Sequence, residues 1–469
     1  MTIKRDTHRM LPRPLVWGAV GVVLANLAIR GTWVALVHPP PYSDYAWYFD
    51  AATRLAEGSG YGLWDGAPTA YWPVGWPFIL SVLFRLTGPS VITGLILQVL
   101  LSTATAVVVL MLAHRLTHNV RVAVAGGFGY TLLPSGWAWD SQLGSEQAFT
   151  LLTVTMLFLL AGADRWPRYA GAGAIAGAAS LVRPTLLVFP AALLAIELLR
   201  SRGPRRAVAH TAAFSVALLA VIAPWTARNT AVLDSPVPVS TNGGVNLYMG
   251  TRTDTGYWWS DNPADNPLIT ARDEVTRNRL GTRLALSYWS GHPGRLVALA
   301  PKRLKALYSS NKSPFSALRA YGDWPADTAR RWQRAADLVY WLLMTAAIAG
   351  SVVMWRYLSK ELWLIGGFII FHTALWLVFS PWDRFRFPLT PLFAVLAGTV
   401  LFLHGRRRMP YSLPSARRSG LRRISGARNA VTLMAAHARL PVLRAQVLEA
   451  GQAETDAFHA SRPLPVSLR

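Results

Sequence analysis

The chain has 469 residues, 52% of them hydrophobic and only 15% charged, and a formal net charge of +24. Zero cysteine excludes disulfides, thiolate metal sites and cysteine nucleophiles. Twenty tryptophans and fifteen tyrosines suit the interfacial belts of a polytopic membrane protein, and a basic surplus beside apolar runs fits positive-inside topology and anionic lipid headgroups rather than nucleic acid.

In chain order, Lys4, Arg5, Arg9 and Arg13 precede an apolar run from Leu15 to Val37, interrupted only by Arg30. That run is too long for a signal peptide and reads as an uncleaved anchor. Next comes "PPYSDYAWYFDAATRLAEGSGYG" (Pro40 to Gly62). Tyr45, Tyr48, Phe49, Ala52, Leu55 and Ala56 recur at helical spacing, with Asp50, Thr53, Arg54 and Glu57 opposite. The pattern predicts an amphipathic helix that starts at Ser43 or Asp44 and is stopped by Gly58 and Gly60.

Ten apolar runs then read as spans, at about 14–36, 91–113, 122–134, 146–163, 169–182, 184–200, 210–226, 336–355, 361–380 and 388–404. The piece 73–87 is an eleventh span or a re-entrant helix. With the N-terminus inside, "HRLTHNVR", "ADRWPR", "SRGPRR", "WRYLSK" and the tail from "HGRRRM" all become cytoplasmic and basic, as the orientation rule requires. The expected organisation is a cytoplasmic N-terminus (1–13) and a transmembrane module (14–226) whose first outer loop is 37–90. An extracytoplasmic loop with interfacial helices (227–335), C-terminal spans (336–404) and a basic cytoplasmic tail (405–469) follow. Part of that tail, "RNAVTLMAAHARLPVLRAQVLEAG", has the composition of a helix lying on the inner leaflet. The glycines of "GAGAIAG" (Gly171 to Gly177) sit inside a span, where they serve close helix packing and not a nucleotide loop.

The candidates for chemistry cluster on one side. Asp44 is an N-cap by default, but it lies just outside the membrane among Tyr42, Tyr45 and Trp47, where partial desolvation tunes a carboxylate toward base behaviour. Glu146 opens the fourth span, where the helix dipole alone accounts for an acid and a functional role is the rival. Arg183, Arg228, Lys302, Arg384 and Arg386 are outward cations. Singly each has a structural explanation, and Asp383 stands ready as a partner for Arg384; together they suit a phosphate.

Several segments resemble a known family. "SDYAWYFDAATRLAEGSGYG" with "PTAYWPVGWPFILSVLFRLTG" resembles the first outer loop of GT-C glycosyltransferases. The nearest kin by pattern are glycosyltransferase family 39 proteins, relatives of protein O-mannosyltransferases and of the lipid A aminoarabinose transferase. "GSEQAFTLL", "SLVRPTLLVFPAAL", "APWTARNTAVLDSPVPVSTNGGVNLYMG" and "DRFRFPLTPLFAVLAG" follow in the same order, so the resemblance runs from about residue 14 to 404.

The resemblance implies an all-α, GT-C-type fold of about 10–11 transmembrane helices with amphipathic helices on the outer face. It also implies inverting transfer of a sugar, mannose or arabinose-like, from a polyprenyl-phosphate donor to an acceptor hydroxyl outside the cytoplasmic membrane. Asp44 becomes the general base, the outward arginines hold the departing phosphate, and Glu146 orients the acceptor or positions a cation. Tyr45, Tyr71, Asn242, Asn246 and His292 are candidates for the sugar and acceptor pocket. No metal is required, because phosphate leaves as a stable anion, although a divalent cation stays compatible. Many eukaryotic relatives carry two adjacent acids in the first loop; here Asp44 stands alone, with Asp50 further along the helix. The chain has no counterpart of the relatives' soluble sugar-binding domains, so a glycan, a lipid or a protein stays open as acceptor. An O-antigen-ligase-like transferase using diphosphate-linked glycans and His292 is the alternative, with a lipid or solute transporter behind it.

Overall fold

The structure, a computed structural model, describes residues 12–200, 203–355 and 359–401. The expected N-terminus up to residue 11 and the basic tail 405–469 lie outside the described residues. Within them every regular element is helical apart from one isolated bridge between Gly62 and Pro68. The helices are α1 (Arg13–Leu36), α2 (Ser43–Ala56), α3 (Gly75–Thr87), α4 (Val91–Thr117), α5 (Val120–Thr131), α6 (Pro134–Asp140), α7 (Glu146–Leu160), α8 (Trp166–Val182) and α9 (Phe189–Arg200). They continue as α10 (Pro204–Leu233), α11 (Gly243–Arg252), α12 (Glu274–Gly291), α13 (Pro293–Tyr308), α14 (Lys312–Tyr321), α15 (Ala326–Met354), α16 (Ser359–Val378), α17 (Asp383–Arg386) and α18 (Thr390–Gly398).

Among the described residues, six stretches are long and apolar enough to cross a bilayer: α1, α4, α10, α15, Glu361–Val378 and Asp383–Leu401. The chain is therefore a multi-pass membrane protein. The other four expected spans fold as the shorter helices α5, α7, α8 and α9, of 12, 15, 17 and 12 residues. Proline explains two of the breaks. Pro134 follows α5 closely, and Arg183, forced extended before Pro184, ends α8 at φ −148° and ψ 121°. The piece 73–87 folds as α3, a helix of 13 residues.

The glycine-rich α8 behaves as a packing surface. A Cβ at Gly173 would collide with the Phe214 carbonyl of α10, and one at Gly177 would sit 2.8 Å from the Leu218 carbonyl. The two backbones approach as small-xxx-small pairs allow.

Over one end of the bundle lies a layer built from α2, the 57–74 loop and α11–α14. Side chains clamp it through backbone groups. Arg228, at the end of α10, donates to the carbonyls of Tyr61 and Thr69, while the Glu274 carboxylate at the start of α12 accepts from Thr69 Oγ1 and Ala70 N. Trp47 of α2 stacks on Trp72 with ring centres 4.4 Å apart.

Inside the bundle a polar network links α1 to α4–α7. Arg30 donates to Asp140 Oδ2 at 2.8 Å and to the Tyr130 carbonyl, and both charged side chains are fully buried. Asn26 joins Thr131, Ser102 and Thr103, and Gln147 donates to Asp140. A buried ion pair of this kind specifies register more than it stabilises, but removing one partner strands the other charge. Arg30→Met should therefore lower unfolding stability by about 3 kcal/mol or more, and Arg30→Met/Asp140→Leu should recover part of that loss. Thermal unfolding in detergent checks this; a single variant as stable as the parent would overturn it.

Candidate active site

Four elements far apart in sequence converge at the layered end of the bundle. The start of α7 supplies Glu146, the residue after α8 supplies Arg183, α17 supplies Arg384, and the first turn of α2 supplies Asp44. Each sits where a helix begins or ends, so its direction is set by backbone geometry rather than by a flexible loop. Ser43 opens α2 with φ +47°, a left-handed turn that separates the helix from the extended residues before it.

Glu146 is the centre. Its Oε1 accepts from Arg183 Nη2 at 2.6 Å and also from Arg384 Nε. The Glu146 side chain is 1% exposed, against 13% for Arg183 and 15% for Arg384. Arg183 Nε also donates to Ser145 Oγ at 2.9 Å. The second carboxylate oxygen, Oε2, is buried and has no hydrogen-bond partner. It lies over Gly144, where any Cβ would overlap it. The absence of a side chain at 144 is thus what lets the carboxylate sit in this position. The loop is held from α4, since Gln98 Nε2 donates to the carbonyls of Gln142 and Gly144 at 2.9 and 2.7 Å.

Arg384 couples the buried acid to the accessible one. Its Nη1 lies 3.6 Å from Asp44 Oδ2, and the Asp44 side chain is 40% exposed. Its guanidinium also stands over the Tyr45 ring, 5.1 Å from the centre. Asp383 does not take Arg384; its carboxylate accepts from Ser313 N and Oγ instead. Tyr45 and Tyr48 lie beneath the site, and burial holds both hydroxyls in the neutral form, well above the usual tyrosine range. Tyr42 donates to Gln142 Oε1 at 2.6 Å, which ties the start of α2 to the loop before Glu146. The result is an exposed carboxylate beside the Arg384 guanidinium, which a buried carboxylate aligns together with Arg183.

Of the remaining expected site residues, Tyr71 feels the charge of Asp44, and the others are not part of the cluster. Arg386 is buried, donates to Leu307 O, Ser310 O and Asn311 Oδ1, and stacks on Tyr340 at 4.0 Å. Its charge is committed to the chain, so of that pair Arg384 alone joins the cluster. Arg228 is the backbone clamp described above. Lys302 pairs on the surface with Asp254 at 2.8 Å. His292 is exposed and stacked on Tyr288, and its Nδ1 lies 3.0 Å from the Tyr288 carbonyl, so it has no part in the cluster. Asn242 Oδ1 accepts from Ser240 just before α11, and Asn246 is exposed on that helix. Tyr71 packs edge-on to Trp72 at 4.5 Å. Arg303, expected with Lys302 among the outward cations, is fully buried, and sequence reasoning missed Tyr257 and Trp382, which no periodic pattern marks. Among the described residues no three His, Asp or Glu side chains come together as a metal set.

Residues 72–227 match the family model described as dolichyl-phosphate-mannose-protein mannosyltransferase. The match includes Glu146 and Arg183 but neither Asp44 nor Arg384. No curated protein matches the chain. Among solved structures, the chain is similar to the Archaeoglobus fulgidus oligosaccharyltransferase tethered to an acceptor peptide containing the NVT sequon. Identity is 11%, with 83% of this chain and 49% of that chain covered at a TM-score of 0.51. It is also similar to ArnT from Cupriavidus metallidurans bound to undecaprenyl phosphate, at 13% identity, 82% and 78% coverage and a TM-score of 0.43. The chain spans about half the length of the oligosaccharyltransferase, and at such identity the likeness establishes the fold. The matched segment is thus similar to that mannosyltransferase family, and the chain as a whole shares the fold of the Archaeoglobus fulgidus oligosaccharyltransferase.

Proposed function

We propose that the chain is an inverting glycosyltransferase that moves a sugar from a polyprenyl-phosphate donor to an acceptor hydroxyl at the outer surface of the cytoplasmic membrane. The observation that supports this most is the placement of Asp44 3.6 Å from Arg384, which with Arg183 is oriented by Glu146. The family description over residues 72–227 supports a polyprenyl-phosphate-linked donor. The basic cytoplasmic-side segments support the orientation.

In this reading the acceptor O–H attacks the anomeric carbon while the bond from that carbon to the phosphate oxygen breaks. The proton goes to an Asp44 carboxylate oxygen, and the bonding pair leaves on the phosphate, so the anomeric centre inverts. Arg183 and Arg384 offset the charge that grows on the phosphate, which is where preorganised donors act most strongly. Glu146 touches neither reacting atom; it is a positioning residue. The sugar is a hexose or a pentose, with mannose and arabinose the first to test.

Two outcomes check the reading. Purified protein should release polyprenyl phosphate from one of a panel of polyprenyl-phosphate sugars, with a crude membrane fraction as acceptor. Asp44→Asn should slow that release by about 100-fold or more, the scale of a lost general base. Undiminished release by this variant would remove Asp44 from the base role. Gly144→Ala should displace the Glu146 carboxylate and lower kcat about tenfold or more, with little change in melting temperature. A variant with parental kcat would show that the position of Glu146 is not needed.

A further inference from the structure

A short strap, residues 253–259, runs beside residues 380–382, just before Arg384, and is anchored firmly. The Arg303 guanidinium is fully buried and donates to the carbonyls of Thr253 and Asp254 at 2.9 and 3.0 Å. The same group donates to the Leu377 carbonyl at 2.6 Å, which ties the strap to the end of α16. Gly256 N donates to Pro381 O at 3.3 Å, and Ser380 Oγ donates to Gly256 O. Gly256 has φ +78°, a left-handed turn that any side chain would strain, and this turn presents the next residue, Tyr257, outward.

Tyr257 is 57% exposed although its backbone is pinned. Its ring meets Trp382 edge-on, with centres 6.1 Å apart and planes at 73°. Trp382 is in turn backed by Phe385, which lies flat on Trp376 at 3.6 Å. Trp382 stands two residues before Arg384, whose guanidinium reaches Asp44. Although much of the ring is exposed, desolvation on its site side, with a contribution from the Asp44 charge, raises the Tyr257 hydroxyl above the usual tyrosine range, and the same causes raise that of Tyr71. Both hydroxyls are therefore neutral donors within the field of the Asp44 carboxylate.

We propose that Tyr257 and Trp382, with Tyr71 beside them, form a subsite for a carbohydrate ring next to Asp44. The inference rests on the reading of Asp44 as the reacting end of the site. One face of a sugar ring presents C–H groups, which are attracted to the electron-rich face of an aromatic ring, while its edge presents hydroxyls. Two aromatic walls at a steep angle receive the first, and the phenol hydroxyls and Asp44 receive the second. The rigid strap fixes this corner before the ring arrives, which removes ordering entropy from binding. The ring belongs to the donor sugar or to a glycan acceptor, and both offer the same chemistry.

The test measures binding without turnover, using full-length protein in nanodiscs, with Tyr257→Ala and Tyr257→Phe beside the parent. The probes are polyprenyl-phosphate mannose, polyprenyl-phosphate arabinose, and free manno- and arabino-oligosaccharides. Tyr257→Ala should weaken Kd for one class of probe by about 3- to 10-fold, the worth of one aromatic contact, and Tyr257→Phe should retain most of the affinity. Weakening confined to the lipid-linked sugars assigns the ring to the donor; weakening confined to the free oligosaccharides assigns it to the acceptor. Unchanged Kd for every probe, or no binding of any probe by the parent, overturns the subsite. The release of polyprenyl phosphate is read separately: its absence alongside a Tyr257-dependent Kd would sink the transferase reading and leave the subsite standing.

Discussion

The site depends on a single buried carboxylate shared by two guanidiniums. Without Glu146, Arg183 and Arg384 would be like charges at close range in a poorly hydrated place, and each would swing toward solvent. With it, α7, α8 and α17 are fixed relative to one another by charge-assisted hydrogen bonds to one oxygen. The position at the first residue of α7 adds the helix dipole to the same end. A buried acid this well paired is a positioning device that leaves the accessible acid, Asp44, free to meet another molecule.

The bundle is organised to hold that carboxylate still. The loop between α6 and α7 is gripped by Gln98 from α4, by Trp76 Nε1 donating to Leu143 O at 3.1 Å, and by Tyr42 from the start of α2. Behind it, Asp140 and Gln147 bracket the site residues and connect them to Arg30 on α1. Polar groups inside an apolar bundle must be mutually satisfied. Most of these groups are, the exceptions being Arg30 Nε, Gln98 Oε1 and Glu146 Oε2, and their bonds hold the helices in register.

Much of this was legible in the sequence. The amphipathic period of α2 was visible, and Asp44, Glu146, Arg183 and Arg384 stood out as ionisable groups at the ends of apolar runs. What sequence could not separate was inward from outward. Arg384 and Arg386 are two residues apart on a four-residue helix, too short to carry a periodic signal, yet one faces Asp44 and the other is folded into backbone carbonyls. Lys302 and Arg303 divide in the same way, one on the surface and one buried. The strap with Tyr257 was equally silent, because its course follows from Arg303 and not from local propensity. Arg30 showed only as an interruption in an apolar run, since its partner Asp140 lies more than a hundred residues later.

The pairing of two carboxylates with two guanidiniums has an electrostatic consequence for a full catalytic cycle. Asp44, Glu146, Arg183 and Arg384 together are neutral when all are ionised. In the proposed reaction the donor phosphodiester carries one negative charge, and the released phosphomonoester carries close to two at neutral pH. The proton that Asp44 takes from the acceptor turns the neutral cluster into a singly positive one at the moment the second negative charge appears. The field at the phosphate thus strengthens as the bond breaks, and relaxes when Asp44 gives its proton to water.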